Sequence, residues 1–271
     1  MERTLEELAE GAARGDRAAL DALVRRIQDD VYRLALRMLG HPADAEDAAQ
    51  EILVKVVTHL GSFRGESSFR TWVWRIAANH VASVRRSRRE VPGLSFEALE
   101  DMLRRGLAAA GEPDAVDPVL EEEVKLGCTG TMLLCLDRDH RLAFVLSEIF
   151  DLTSREGAEV LGISPAAFRK RLERARERLR TFMSANCGLV SEEASCRCRR
   201  QVGPSVAAGL IDPEHLLFAL HPTRARADPA ARRALDAIEG ARRYAAVLRG
   251  HPAYAAPPSV LEGFRELLAE A

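Results

Sequence analysis

Apolar residues recur at helical steps through most of the chain. Leu20, Leu23, Val24, Ile27, Val31, Leu34 and Met38 follow one another at three- and four-residue intervals, which predicts an amphipathic helix over 16–40. Gly40-His41-Pro42 ends it. A second helix is expected from about Asp44, with Glu46 and Asp47 in its first turn, where the helix dipole favours acids. It runs to about Leu60, with Ile52, Val56 and Leu60 on one face. After a loop over 61–67, a third helix is predicted from Ser68 to Arg88, carrying Trp72, Ile76, Val81 and Val84. The first 90 residues therefore read as an all-helical domain.

Pro92, Gly93, Gly106, Gly111 and Pro113 interrupt the pattern, so 90–117 reads as a linker with one short helix at 95–109. A second helical domain is expected at 119–182. Residues 183–211, with Gly and Cys, read as irregular. Further helices are expected at 228–249, opened by Asp228-Pro229 as N-cap and first helical position, and at 257–270. The fold class expected is all-α. No run of 18 apolar residues predicts a membrane span, and the acidic, polar start Met1–Glu7 is unlike a signal peptide. A cytoplasmic location is the expectation.

The most specific local pattern lies at 153–180. Thr153 with Glu156 three residues on is a capping box. Gly162 suits a left-handed helix end, Ile163 is an apolar turn residue, and Ser164-Pro165 is a second N-cap with Pro at the first helical position. Two helices joined by a turn of three or four residues containing Gly form a helix-turn-helix. Gly157 inside the first helix costs about 1 kcal/mol relative to Ala, which close packing of the second helix would explain. Ala158, Val160, Leu161, Ile163, Phe168 and Leu172 are its expected local core. Ser164, Arg169, Lys170 and Arg171 lie near the end that enters a DNA groove, where Arg can bond guanine with two hydrogen bonds. Arg174, Arg176, Arg178 and Arg180 are placed to meet phosphate. The competing reading is a helical hairpin whose Arg residues are solvated or paired with Glu173 and Glu177.

Net charge is −2, so total charge does not point to nucleic acid; its distribution does. Arg64 to Arg89 holds seven Arg and one acid, and Arg169 to Arg180 holds seven basic residues and two acids. Between them, Glu97 to Glu123 holds nine acids and two Arg. Two basic blocks flanking an acidic one fit two nucleic-acid contacts.

Here a resemblance becomes specific. Leu136-Asp137-Arg138-Asp139-His140-Arg141-Leu142-Ala143-Phe144-Val145-Leu146 and the helix-turn-helix ending at Leu179 resemble region 4 of the sigma-70 family. The nearer likeness is to its compact extracytoplasmic-function group, which retains regions 2 and 4. Asp44–Glu51 resembles region 2.2, and Phe63–Asn79 resembles regions 2.3 and 2.4. The resemblance spans about 10–90 and 119–182. It implies a factor that binds core RNA polymerase, opens a −10 element with region 2 and holds a −35 duplex with region 4. It places Asp47, Gln50 and Glu51 on the polymerase-binding face. The 61–69 loop and Asn79 match the family's base-capture pocket, and an Asn amide can both donate to and accept from a base edge. Arg64, Arg70, Arg75, Arg85 and Arg86 are expected on the strand backbone. Trp72 reads equally as core or as a base platform, and Trp74 is the aromatic expected to be exposed. The rival function is a helix-turn-helix repressor or activator that works without polymerase. No Gly-rich phosphate loop, nucleophile elbow or His-Glu-x-x-His motif points to an enzyme.

The chain continues for about 90 residues beyond region 4. Its five cysteines are Cys128, Cys135, Cys187, Cys196 and Cys198, an odd number that does not suggest a disulfide framework. Cys187, Cys196 and Cys198 could bind Zn²⁺ with a fourth ligand from Cys135, Cys128 or a His. Neighbouring Arg residues would favour low thiol pKa. Buried or incidental cysteines are the alternative, and the spacing is not a strong signature. No other cofactor is expected. The extension reads as a regulatory module, with an anti-sigma partner or self-regulation as the two routes. His41, His221 and His251 each precede Pro and read as turn residues.

Overall fold

The computed structural model describes residues 3–84, 93–109, 115–224 and 243–270. Among these, regular structure is helical, and the chain divides into two compact units. The first comprises Met1–Glu90, Leu152–Arg169 and Tyr254–Ala271; the second comprises Val91–Asp151 and Lys170–Ala253.

In the first unit, α1 (Leu5–Ala13), α2 (Arg17–Leu39), α3 (Pro42–Thr58) and α4 (Phe69–Ser83) surround one core. Leu23, Val31, Tyr32, Leu34, Ile52, Leu53, Val56 and Phe69 are fully buried in it. Gly40 ends α2 in the left-handed conformation (φ 78°). His41 then caps α3, its Nδ1 accepting from the Ala43 amide at 3.2 Å, the turn role its position before Pro42 suggested. The α1 helix is an addition to the elements expected from periodicity, and its signal is a cap. Thr4 and Glu7 form a reciprocal capping box, with bonds of 3.1 and 2.7 Å. The third expected helix stops at Ser83 rather than Arg88, because Val84 leaves helical conformation; Arg85 and Arg86 lie outside the described residues.

Also in this unit is α8 (Ser154–Leu161), which packs on α4. The predicted capping box on Thr153 is present, and Gly162 is left-handed (φ 63°). A Cβ on Gly157 would stand 2.3 Å from the Phe168 ring, so the missing side chain is what admits Phe168. The last helix, α12 (Pro258–Glu270), packs on α3. Of the expected local core, Ala158, Val160, Phe168 and Leu172 are buried, while Leu161 and Ile163 are half-buried.

The second unit contains α5 (Phe96–Ala109), α6 (Pro118–Leu134), α7 (Arg138–Phe144), most of α9 (Pro165–Asn186), α10 (Cys198–Ala207) and α11 (Arg243–Arg249). The helix expected at 95–109 is α5. The 183–211 stretch is not wholly irregular as expected. Its α10 packs on α5 and α6, burying Gln201 and Val202, and Gln201 donates to the Leu103 carbonyl at 2.9 Å. The expected start of a helix at Asp228 lies outside the described residues, and α11 is the described part of that segment. Two buried charged groups here find the partners that burial requires. Arg141 donates to the carbonyls of Leu133, Leu134 and Leu136 at 2.8–2.9 Å, which closes the end of α6. Glu123 accepts from the amides of Leu217, Phe218 and Ala219 at 2.6–3.0 Å, which fixes that irregular stretch to α6.

Candidate nucleic-acid and polymerase interfaces

The helix with the densest basic face is α9. Ser164 starts it, its Oγ accepting from the Ala167 amide at 3.1 Å. The inward row is Phe168, Leu172, Ala175, Leu179, Phe182 and Met183, each buried. That row leaves Arg169, Lys170 and Arg174 exposed on the outward side, beside small Ala166. None of these three basic side chains has an acidic partner within ion-pair distance among the described residues. Their charge is therefore available to an anion.

The remaining basic residues of α9 have partners within the protein. Arg171 is paired with Asp139 at 2.9 Å and is only half-exposed. Arg176 forms an ion pair with the buried carboxylate of Glu148, which Arg249 holds from the other side at 2.7 Å. Arg178 stacks over Phe96 (5.2 Å) and approaches Asp137 at 3.9 Å, and Arg180 pairs with Glu177. Arg171 and Arg176, expected on bases and on phosphate, thus each have an acidic partner within the protein. Spacing along one helix placed them near a groove, but acids from α7 and from the π turn at Val145–Ile149 already occupy them.

The second basic surface is α4 and the loop before it. Ser68 caps α4, accepting from the Thr71 amide at 3.1 Å. Arg64, Arg70, Arg75 and Asn79 are exposed. Arg70 lies 3.4 Å from Asp30 and 6.0 Å above the Trp74 ring. Trp74 itself is 2% exposed, so it does not present a ring to a base. Residue 74 falls in the buried row with Val73, Ala77, Ala78 and Val81, and that row, not residue type, decides. Trp72 is half-exposed and packs with Phe63 and Phe69, ring centroids 5.6 and 5.4 Å away. Phe63 and Phe69 meet edge to face at 5.2 Å. The aromatic surface that adjoins Arg75 and Asn79 on α4 is thus Trp72 with Phe63. Arg75 also reaches Glu159 of α8 at 3.7 Å.

On α3, Asp47 and Glu51 are exposed and Gln50 is half-buried. Lys55, on the same helix, donates from its ammonium to His80 Nδ1 at 2.6 Å. Burial first, and this ammonium second, hold the His80 pKa below 6.5 against a weaker opposite pull from Glu51.

The cysteines do not have the low pKa that neighbouring Arg residues suggested. Burial pushes the thiols of Cys135 and Cys198 up to about 12, and those of Cys128, Cys187 and Cys196 upward as well. At Cys135, Cys187 and Cys196 nearby arginines lower these values less than loss of water raises them, and Cys128 and Cys198 are raised further by the other cysteines. Cys187 and Cys196 sit on paired backbone, with the Gly188 amide donating to the Cys196 carbonyl at 3.0 Å. No group of three or more His, Cys, Asp or Glu among the described residues is disposed to hold a metal ion.

The segments that carry these two basic surfaces each match a known family region. Residues 23–91 match Sigma-70 region 2, and residues 126–179 match Sigma-70 region 4. The chain is 32% identical over 185 residues to the ECF RNA polymerase sigma factor SigW of Bacillus subtilis, covering 66% of this chain and 97% of that protein. The chain belongs to the sigma-70 family, in its extracytoplasmic-function group. The ECF RNA polymerase sigma-E factor of Escherichia coli is 33% identical over 173 residues, covering 63% of this chain and 89% of its own. Among solved structures, that of CnrH in complex with the cytosolic domain of CnrY matches with TM-score 0.49 and 27% identity, over 66% of this chain and 96% of that one. This sigma factor is thus a promoter-recognising protein that directs transcription initiation with core RNA polymerase. A repressor or activator working without polymerase is not favoured, because such a protein has no use for region 2. No described helix is long and apolar enough to cross a membrane.

Proposed function

We propose that α9 holds the −35 element as duplex through Ser164, Arg169, Lys170 and Arg174. The observation that carries this reading is the exposed basic face of Arg169, Lys170 and Arg174, beside neighbouring arginines that are all paired. In the same reading, Arg64, Arg70, Arg75 and Asn79, with Trp72 and Phe63, hold the opened −10 strand. An unstacked base needs an aromatic or apolar surface and a polar edge to bond, and this part of α4 carries both. Arg85 and Arg86 extend that basic stretch in sequence. Asp47, Gln50 and Glu51 on α3 face a basic helical element of core polymerase, in the cytoplasm where that enzyme works.

Factor-dependent run-off transcription with purified core polymerase tests the whole reading, and permanganate reactivity of the −10 region tests its strand-opening part. Asn79→Ala is expected to reduce −10 reactivity about tenfold while leaving −35 duplex binding unchanged. Equal loss of both, or of neither, would remove the pocket from the reading.

The extension carries a second, separate proposal. Zn²⁺ at Cys187, Cys196 and Cys198 requires those sulfurs to shed their protons, since burial favours the neutral thiols and metal ligation needs thiolates. Metal analysis of reduced protein beside the triple Cys→Ser variant decides it. No bound zinc in the parent protein ends the idea.

A further inference from the structure

The polymerase-facing side of α3 is partly covered by the end of its own chain. Ser259, in the first turn of α12, donates from Oγ to Glu46 Oε2 at 2.6 Å. Gln50 donates from Nε2 to the Ser259 carbonyl at 3.1 Å. One turn further along α12, Gly263 lies directly against Gln50: a Cβ there would stand 2.4–2.5 Å from the Gln50 amide group. Val260 is fully buried and Phe264 is 5% exposed between these contacts. Before the helix, the Ala256 amide donates to Asp29 at 2.9 Å, and beyond its midpoint Arg265 reaches Asp21 at 3.3 Å. Gln50 is thus under α12, while Asp47 and Glu51, on the same helix, remain in solvent.

A partner that engages Asp47, Gln50 and Glu51 together needs the ground that Ser259 and Gly263 occupy. We propose that α12 is an internal occupant of this face, which competes with core polymerase and leaves α3 when holoenzyme forms. The inference rests on the reading of α3 as the polymerase-binding helix. Its physical basis is tethering. A segment carried on the same chain as its site can act at an effective concentration on the order of millimolar, so docking through two apolar anchors can keep the face filled in the free protein. A large polymerase surface displaces it. With no side chain at position 263, the α12 backbone lies against the Gln50 amide group.

Amide hydrogen exchange of the unmodified full chain, free and in complex with core polymerase, tests this directly. An undocked helix of this length is marginal in water. The amides of residues 258–270 are expected to lose protection about tenfold on core binding, while those of α3 keep or gain it. Unchanged protection of 258–270 in the holoenzyme overturns the proposal. In the full chain, Gly263→Leu forces a side chain onto Gln50 and is expected to tighten core binding about tenfold. The double variant Asp47→Arg/Glu51→Arg, which touches none of the α12 contacts, separates the two ideas. If it loses core binding while α12 stays protected in wild-type holoenzyme, only the masking fails. If it binds core normally, the assignment of α3 fails and the masking with it.

Discussion

Gly157 and His80 show how single residues are constrained by what surrounds them. Replacing Gly157 by Ala adds helix propensity worth about 1 kcal/mol. It also drives a methyl into the Phe168 ring, which has no slack because it is fully buried. Overpacking of this kind costs about 1–3 kcal/mol, and with a separation of 2.3 Å the clash dominates. Gly157→Ala is expected to lower stability by up to about 2 kcal/mol in urea denaturation, net of the propensity gain; a stabilised variant would show that Phe168 can move aside. His80 has a pKa held below 6.5, so below that pH the unfolded chain takes up a proton that folded His80 resists. Its contribution to stability is therefore complete above about pH 6.5 and is lost as pH falls from there towards the lowered folded value. His80→Asn keeps an acceptor for Lys55 and removes the titration. Thermal melts at about pH 7.5 and about pH 5.5, above and below the ordinary imidazole value, are expected to differ less for this variant than for the parent. An equal pH dependence would mean that His80 is not the responsible group.

At the scale of elements, α9 carries seven basic residues between Arg169 and Arg180 but offers only part of them to DNA. Arg169, Lys170 and Arg174 face outward, and removing one phosphate-binding cation lowers the salt slope of binding by about 0.9. The triple Ala variant is expected to weaken −35 duplex binding and to flatten its salt dependence by up to about 3 units of log K per log salt. Arg171→Ala removes an ion pair with Asp139 and is expected to leave sequence preference unchanged, with a stability loss of about 0.2–1 kcal/mol, the range for exposed pairs. Binding-site selection with both variants distinguishes them. A relaxed consensus in Arg171→Ala would return that residue to the base-contacting set.

At the scale of the molecule, the described helices of the extension beyond region 4 pack on earlier helices. Within the second unit, α10 buries its apolar side on α5 and α6, and α11 packs on α6 and the π turn, where Arg249 holds Glu148. Within the first unit, α12 buries Val260 and Phe264 on α3. Each of these helices owes its packing to helices earlier in the chain, and a short helix has little stability of its own. Residues 183–271 expressed alone are therefore expected to show no cooperative melting transition by circular dichroism. A sharp transition would mean that the extension has a core of its own.

The amino-acid sequence determined the all-α class, the helix-turn-helix with its capping box, left-handed Gly162 and Ser-Pro start, and the two basic blocks. All of these are local: they depend on periodicity, caps and charge within a few turns. The α1 helix is equally local, written in Thr4 and Glu7, and a search for caps as well as periodicity finds it. What only the tertiary structure decided is which polar groups have partners. Trp72 and Trp74 are close neighbours in sequence and differ in exposure because only the second falls in the buried row of α4. Arg171 and Arg176 are paired with Asp139 and Glu148, which belong to elements well before α9 in sequence. The cysteines' neighbouring arginines suggested low pKa, and burial reversed it. Gln50 is covered by Ser259 and Gly263, from the far end of the chain. Such pairings depend on which helix faces meet, and a helix carries no local mark of the distant segment that packs on it.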